Sequence, residues 1–135
     1  MRTGDTKIVL DTNAYTRLLI GEEDVLDIIG MADTIYMSIF VLGELYAGFA
    51  GGRKERKNKE TLNRFLLKPT AKILNATAET AEVFSEVKQN LKKAGTPIPI
   101  NDVWIAAHAI ETGSTIITYD SHFKNVAGLR LWDGI

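Results

Sequence analysis

The sequence of 135 residues contains no cysteine. This absence excludes thiol nucleophiles, CxxC redox centres and zinc sites with cysteine ligands. A chain without disulfides is typical of a reducing compartment, so we expect the protein in the cytoplasm. A chain of this length can bury a core large enough to fold without disulfides or a structural metal.

Long apolar runs are also missing. No stretch approaches the roughly 18 apolar residues that a membrane span requires. Residues 1–7 are polar and lack the apolar region of a signal peptide. The sequence therefore predicts neither membrane insertion nor secretion. It has no internal repeat, low-complexity tract or long linker, and we expect a single domain over residues 1–135.

Charge is distributed unevenly along the chain, although the net charge is only −1. Half of the 16 Lys and Arg residues lie between Arg53 and Lys72, which gives this segment a charge of +6 and leaves −7 on the remainder. Such a segment can attract a polyanion, but an ordinary solvent-exposed helix face has the same pattern. The candidates for contact with a polyanion are Arg53, Lys54, Arg56 and Lys57.

Strand-like and helix-like segments alternate, which predicts an α/β domain with a central, mainly parallel sheet of four to five strands flanked by helices. The predicted strands are Ile8–Leu10, Thr34–Met37, Ala71–Leu74, Thr115–Thr118 and Leu129–Trp132. The helix that leads into the fourth strand is expected to begin at Val103, with Asn101 or Asp102 as its N-cap, after an extended linker containing Pro97 and Pro99.

Acidic residues occupy special positions in this pattern. Asp11 follows the first strand, and Asp120 follows the fourth. Ligands of open parallel sheets bind at the carboxyl ends of the strands, where both of these residues emerge. Asp102 stands at a predicted helix start, and Glu44 is a lone charge in an apolar helix with no Lys or Arg within one turn. Each Asp also has a purely structural interpretation, as a helix cap or a turn residue.

Carboxylates that converge without a basic residue between them form a hard oxygen site, which Mg²⁺ or Mn²⁺ prefers. Such an ion can lower the pKa of a bound water and polarise a phosphoryl oxygen, which suits phosphodiester hydrolysis. Thr12, Asn13 and Thr118 are possible helpers on a water or a phosphate. The two histidines share no metal-ligand spacing, so we expect His108 and His122 to be packing or surface residues outside the site. Trp104 and Trp132 are expected in the core or an interface.

Four motifs in order extend this interpretation: IVLDTNAY, SIFVLGELYAGF, PIPINDVWIAAHAIETG and TIITYDSHFKNVAGLRLW, from Ile8 to Trp132. As a set they resemble the PIN-domain nucleases, and within them the VapC-like ribonuclease toxins of toxin–antitoxin pairs.

The resemblance implies a three-layer fold and an acidic pocket in which Asp11, Glu44, Asp102 and Asp120 are both the catalytic and the metal-binding residues. One or two Mg²⁺ or Mn²⁺ ions would be held there, with Thr118 and Asn13 as auxiliary residues. The implied activity is endonucleolytic cleavage of RNA, for which Arg53, Lys54, Arg56 and Lys57 become candidate RNA-binding residues. The implied partners are a VapB-like antitoxin and a second copy of the chain in a homodimer.

Two alternatives remain open from the sequence. One is a catalytically inactive PIN-like module that binds a partner or RNA without turnover, although a degenerate member would be expected to lose one of the four acids. The other is a phosphatase of the haloacid-dehalogenase type, which also opens with an Asp after the first strand. Asn13 stands where the second Asp of such an enzyme would be, which argues against this class.

Overall fold

The structure is a computed structural model that describes residues 6–132. Its strands form one five-stranded sheet in the order β3-β2-β1-β4-β5, and every pair is parallel. The strands are β1 (Lys7–Leu10), β2 (Thr34–Ser38), β3 (Ala71–Leu74), β4 (Thr115–Ile117) and β5 (Arg130–Leu131). The predicted parallel α/β fold is thus confirmed.

Six α-helices occupy the connections of the described chain. They are α1 (Thr12–Leu19), α2 (Glu23–Met31), α3 (Ile39–Phe49), α4 (Glu55–Leu66), α5 (Ala78–Ala94) and α6 (Ile100–Thr112). A short 3-10 helix, Ser121–Asn125, follows β4 and was not expected from the sequence. None of the helices within residues 6–132 is long and apolar enough to cross a membrane.

The order of the strands reverses at β1. Strands β1, β2 and β3 follow one another outward on one side, whereas β4 and β5 add to the other side. Leu10 is paired with Ile117, and the amide of Asp11 donates to the carbonyl of Ile117 at 3.2 Å. The carboxyl ends of β1 and β4 therefore lie side by side at the switch point, where open α/β sheets bind their ligands.

The core explains why these segments form strands and helices. The central strands are continuous apolar runs buried on both faces, as parallel sheets require, with Val9, Leu10 and Ile116 fully buried. Tyr15 from α1 and Phe123 from the 3-10 helix are also fully buried. Phe123 therefore anchors the segment that follows β4 to the core.

An aromatic stack joins three helices next to the core. The Trp104 ring of α6 lies between Phe40 of α3 and Phe84 of α5, with centroid distances of 4.9 and 3.9 Å. Stacked rings add specific packing energy to the area that they bury. Trp132 is buried as well, so both tryptophans have the packing role that the sequence predicts.

The predicted start of α6 is wrong. The helix begins at Ile100 with Pro99 as its N-cap, and neither Asn101 nor Asp102 caps it. A proline is tolerated there because its missing N–H would have no helical partner, while its carbonyl still accepts from the amides of Asp102 and Val103. Asp102 consequently lies in the first turn, where the helix dipole favours a carboxylate and where its side chain is not used as a cap.

His108 is a structural residue, as expected. It is fully buried, with Nδ1 2.9 Å from Ser38 Oγ and Nε2 3.2 Å from the carbonyl of Asn75. The carbonyl can only accept, so Nε2 carries the proton and Nδ1 accepts from the serine hydroxyl. The neutral ring thereby ties α6 to the ends of β2 and β3.

Burial lowers the pKa of His108 below its ordinary value of 6.5. The unfolded chain then binds more protons, so the stability contributed by the neutral ring is complete above pH 6.5 and is lost as the pH falls toward the lowered pKa. We expect H108Q to be less stable than the wild type by about 1–3 kcal/mol at neutral pH. This difference in free energy of unfolding, measured in urea, should shrink at about pH 5. A constant difference would contradict a buried neutral His108.

Candidate active site

Asp11 forms the most buried part of the candidate site. It follows β1 directly and is only 4% exposed. Its Oδ1 accepts from the Ala14 amide at 2.8 Å, so Asp11 is the N-cap of α1. Its Oδ2 accepts from the Thr118 hydroxyl. The capping role and a role in the site coexist in this residue because each oxygen has its own partner.

Thr118 links two of the acids. The residue follows β4, is fully buried, and donates to Asp11 while its hydroxyl oxygen accepts from the Asp120 amide at 3.0 Å. The side chain thus fixes both the Asp11 carboxylate and the backbone that leads into Asp120. Thr118 stands next to the predicted acids, as the sequence suggests, in a positioning role.

Glu44 has a hydrogen-bond partner that is not a cation. The Thr12 hydroxyl on α1 donates to Glu44 Oε1 on α3 at 2.8 Å. This bond holds the glutamate on the same side of the domain as the residues that follow β1. The sequence pattern identifies Glu44 as a carboxylate in need of a partner, and the structure supplies one of its two oxygens with a donor.

Asp102 and Asp120 both face His122. The Nε2 atom of His122 lies 2.8 Å from Asp102 Oδ2, and Nδ1 lies 3.4 Å from Asp120 Oδ1. Ligand atoms from these three residues all lie within 4.8 Å of one another. The three side chains are half-buried, so the group remains accessible to solvent.

The expectation that His122 lies outside the site is wrong. The 3-10 helix turns the chain immediately after Asp120, and the buried Phe123 fixes that turn, which brings the His122 ring back over the acids. Spacing between histidines could not reveal this, because the partners of His122 are carboxylates from α6 and from its own turn. The available signal was a histidine two residues after a candidate acid and next to a core aromatic.

The electrostatics of the cluster are dominated by like charges. Within residues 6–132, no ion pair brings a Lys or Arg to the four acids. Burial first, and then the charges of Asp102 and Asp120, raise the pKa of Asp11 to about 6, against the lowering effect of its hydrogen bonds. Burial also raises the pKa of Asp102, with further contributions from Glu44 and Asp120, whereas nearby His122 opposes the shift.

A divalent cation fits this set of residues. Carboxylate oxygens of Asp102 and Asp120 converge with a ring nitrogen of His122, since ligand atoms of all three residues lie within 4.8 Å of one another. Carboxylate oxygens and an imidazole nitrogen are donors that divalent cations bind in proteins, so the chemistry of this donor set suits a cation. The charges of Asp102 and Asp120 contribute to the raised pKa of Asp11, and those of Glu44 and Asp120 contribute to the raised pKa of Asp102, which places the four acids near one another.

The remaining predicted residues make no ion pair or hydrogen bond with the four acids within residues 6–132. Asn13 is exposed on α1, and its side chain makes no hydrogen bond within the described part of the chain. The exposed Arg53 and Lys54 lie in the turn between α3 and α4, and Arg56 and Lys57 lie in the first turn of α4.

The fold and the four acids together define an α/β domain with a carboxylate cluster at the switch point of a parallel sheet. The chain belongs to the PIN domain family, whose profile matches residues 8–129.

Similar proteins agree with this assignment. The chain is 32% identical over 111 residues to a protein named Ribonuclease VapC2 from Rickettsia felis, covering 80% of this chain and 81% of that protein. It is 30% identical over 132 residues to Plasmid stability protein StbB from Pseudomonas syringae pv. tomato, covering 92% and 95%. A crystal structure of VapBC2 from Rickettsia felis bound to a DNA fragment from its promoter superimposes with a TM-score of 0.83 at 27% identity, covering 94% of this chain and 98% of that one.

Because the pKa of Asp11 is raised, the ionised carboxylate should lower the free energy of unfolding of the metal-free protein by an amount that depends on pH. This destabilisation is complete above about pH 6, the raised pKa of Asp11 in the folded chain. It disappears as the pH falls toward 3.8, the ordinary pKa of the side chain. D11N lacks this penalty, so the stability of D11N relative to the wild type should decrease by roughly 1 kcal/mol between about pH 8 and pH 5. Urea unfolding in the presence of a chelator measures this. A difference that does not vary with pH would mean that Asp11 titrates normally.

Proposed function

We propose that this protein is a metal-dependent endoribonuclease and the toxin of a toxin–antitoxin pair. The observation that carries the proposal is the cluster of four carboxylates at the switch point, with no Lys or Arg paired to it within residues 6–132. Membership of the PIN domain family and the ribonuclease names of similar proteins support RNA as the substrate. Its action on cellular RNA would take place in the cytoplasm.

The proposed ligands are Asp11, Glu44, Asp102 and Asp120, and the proposed cofactor is Mg²⁺ or Mn²⁺. When bound, such an ion supplies an activated water and neutralises charge on the phosphoryl oxygens. The chain supplies the fixed geometry. The Ala14 amide and Thr118 orient Asp11, and Thr12 orients Glu44. A ligand set held in place before the substrate arrives needs no reorganisation during the reaction.

The alternative of an inactive binding module is less well supported. All four acidic positions are filled, and two of the acids are held by dedicated hydroxyl donors, Thr118 and Thr12. A module that only binds a partner or RNA has no need to keep all four carboxylates together against burial and mutual repulsion.

Removal of single carboxylates tests the proposal. We expect D11N and D120N each to lose at least about 100-fold in the rate of cleavage of single-stranded RNA in Mg²⁺ or Mn²⁺, since an amide keeps the shape but loses the charge that binds the ion. A chelator should abolish the wild-type activity.

A matched control is D27N, which removes the same charge from an exposed position on α2 and should cleave at the wild-type rate. Thermal melting shows whether each variant is folded. Full activity of folded D11N or D120N, or activity that resists the chelator, would contradict the proposal. Absence of cleavage by the wild type on every RNA tested, with tight metal binding retained, would favour the binding module.

We further propose that the basic turn, defined here as Arg53, Lys54, Arg56 and Lys57, binds the RNA backbone. Four cations at the start of a helix oppose the helix dipole, which favours anions there. Two acids lie nearby: Glu60 Oε1 is 3.5 Å from Arg56 Nε, and Glu55 Oε1 accepts from the Gly51 amide at 3.0 Å while its Oε2 is 3.1 Å from Lys59 Nζ. No ion pair with Arg53, Lys54 or Lys57 is found within residues 6–132. A phosphate would satisfy both the dipole and the exposed cations.

The basic turn follows the helix that carries one of the acids, Glu44. Helix α3 ends five residues after Glu44, which at 1.5 Å per residue places its end roughly 8 Å farther along the axis. The turn follows this end directly, and a hollow lined by Gly48, Arg53 and Asn58 opens beside it. RNA bound at the basic turn would therefore lie along the helix that carries Glu44.

Neutralising Lys54, Arg56 and Lys57 together should weaken RNA binding by a similar factor for all sequences. The slope of log affinity against log salt concentration should become shallower by about 0.7 for each phosphate that the variant no longer neutralises. Fluorescence anisotropy at several salt concentrations measures both effects. Neutralising the equally exposed Lys88, Lys92 and Lys93 on α5 removes the same charge and serves as the control. Equal salt slopes for the two triple variants would mean that the basic turn is an ordinary solvent-exposed surface that does not bind RNA.

A VapB-like antitoxin is the proposed partner, because structures similar to this chain are VapBC complexes. The acid cluster offers a specific means of inhibition. An arginine of the antitoxin can form charge-assisted bonds with the carboxylates and so compete with the cation for the same oxygens. A homodimer of this chain is proposed as the form that binds the antitoxin.

A further inference from the structure

His122 is the only basic group that contacts the acids within residues 6–132, and the proposed function does not use it. Its Nε2 lies 2.8 Å from Asp102 Oδ2 and its Nδ1 lies 3.4 Å from Asp120 Oδ1. The two ring nitrogens therefore face two different carboxylates. Although the ring as a whole is 27% exposed, Nε2 itself is buried.

Nε2 of His122 is a close polar partner of the Asp102 carboxylate, 2.8 Å from Oδ2. Ligand atoms of His122, Asp102 and Asp120 all lie within 4.8 Å of one another. Two neighbouring ligand atoms of an octahedral cation, each at about 2.1 Å from it, lie roughly 3 Å apart. The separation of 2.8 Å therefore matches two ligands that share an edge of one coordination shell.

We propose that His122 Nε2 is a direct ligand of the catalytic cation, next to Asp102, and that this nitrogen shifts the preference of the site from Mg²⁺ toward Mn²⁺. This inference rests on the proposed function, in which the four acids bind a divalent ion. It adds a nitrogen ligand to a set of oxygen ligands.

The second nitrogen of the ring supports the assignment of the ligand atom. Histidines that bind metals usually donate their other N–H to a carboxylate or a carbonyl, which fixes the tautomer and the ring orientation. Nδ1 of His122 faces Asp120 Oδ1, so Asp120 can hold the ring with one oxygen and keep the other for the cation. Phe123, fully buried at the next position, anchors the turn that carries the ring.

The preference follows from the chemistry of the donors. Carboxylate oxygens suit Mg²⁺ and Mn²⁺, whereas imidazole favours transition metals and gives little to Mg²⁺. A mixed site of carboxylates and one imidazole therefore gains more affinity for Mn²⁺ than for Mg²⁺. Replacing the imidazole with a carboxylate should therefore lower the affinity for Mn²⁺ relative to that for Mg²⁺.

The direct test is pulsed electron paramagnetic resonance on the full chain loaded with less than one equivalent of Mn²⁺. A coordinated imidazole gives ¹⁴N modulation of the electron spin echo, and this modulation should be replaced when the histidines are labelled with ¹⁵N. The chain has only two histidines, and both ring nitrogens of His108 are engaged by Ser38 and Asn75. The label therefore reports on His122 without any substitution.

Two substitutions test the preference by calorimetric titration of Mn²⁺ and Mg²⁺. H122N should lower the affinity for Mn²⁺ by about tenfold or more and the affinity for Mg²⁺ by less. H122D, which restores an oxygen ligand, should raise the affinity for Mg²⁺ relative to that for Mn²⁺. Thermal melting without metal checks that both variants fold. If one of them does not fold, the isotope experiment on the unsubstituted chain still shows whether His122 binds the cation.

The outcomes separate this inference from the proposed function. Nitrogen modulation that depends on the histidine label, together with a lower ratio of Mn²⁺ to Mg²⁺ affinity in H122N, supports the inference. Bound Mn²⁺ without histidine modulation, or modulation that persists in H122N, overturns it while a metal-dependent nuclease stands. A wild-type chain that binds neither cation overturns both.

Discussion

The buried carboxylate of Asp11 is the constraint on which the site depends. A carboxylate that is 4% exposed needs donors, and it obtains them from two distant parts of the chain, the Ala14 amide and the Thr118 hydroxyl. The second donor is available only because β4 crosses over to pair with β1. The topology of the sheet and the chemistry of the site are therefore linked through one hydrogen bond, whose partners are 107 positions apart in the sequence.

Much of this arrangement could be predicted from the sequence. The strands are short apolar runs whose boundaries are marked by polar residues, and Asp11 and Asp120 follow two of them. Parallel strands carry such residues to one edge, so their proximity follows from the pattern. Glu44 was recognisable because a lone charge in an apolar helix needs a partner. The sequence predicts Thr12 as a possible helper on a water or a phosphate, whereas in the structure its hydroxyl donates to Glu44.

Two features could not be predicted, and both depend on local backbone geometry. The start of α6 depends on Pro99, whose carbonyl accepts two helical amides although its own N–H is missing. Capping preferences favour Asn and Asp over Pro and so place the start of the helix at Val103 instead of Ile100. The position of His122 depends on a 3-10 turn fixed by the burial of Phe123. Neither periodicity nor ligand spacing contains that information.

The two halves of the cluster differ in how firmly the fold holds them. Asp11 and Thr118 are set at the ends of central strands and are buried, whereas Asp120 and His122 lie on a short turn and are half-exposed. Functional groups on strands are positioned more precisely than groups on turns. Asp11 therefore has a fixed position, whereas small movements of the turn can bring Asp120 and His122 to a cation.

The acid cluster and the basic turn carry opposite charges in different parts of the chain, and this separation suggests an order for the steps of the proposed function. Four carboxylates repel a phosphate, so RNA approaching the cluster without a cation meets an unfavourable potential. Under the proposal, the basic turn would attract the same backbone whatever its sequence. Affinity for RNA would then be set by the basic turn, whereas entry of the scissile phosphate into the cluster would depend on the cation. Control of the cation would be sufficient to control such a nuclease, and a partner that occupies the carboxylates would have no need to cover the basic turn.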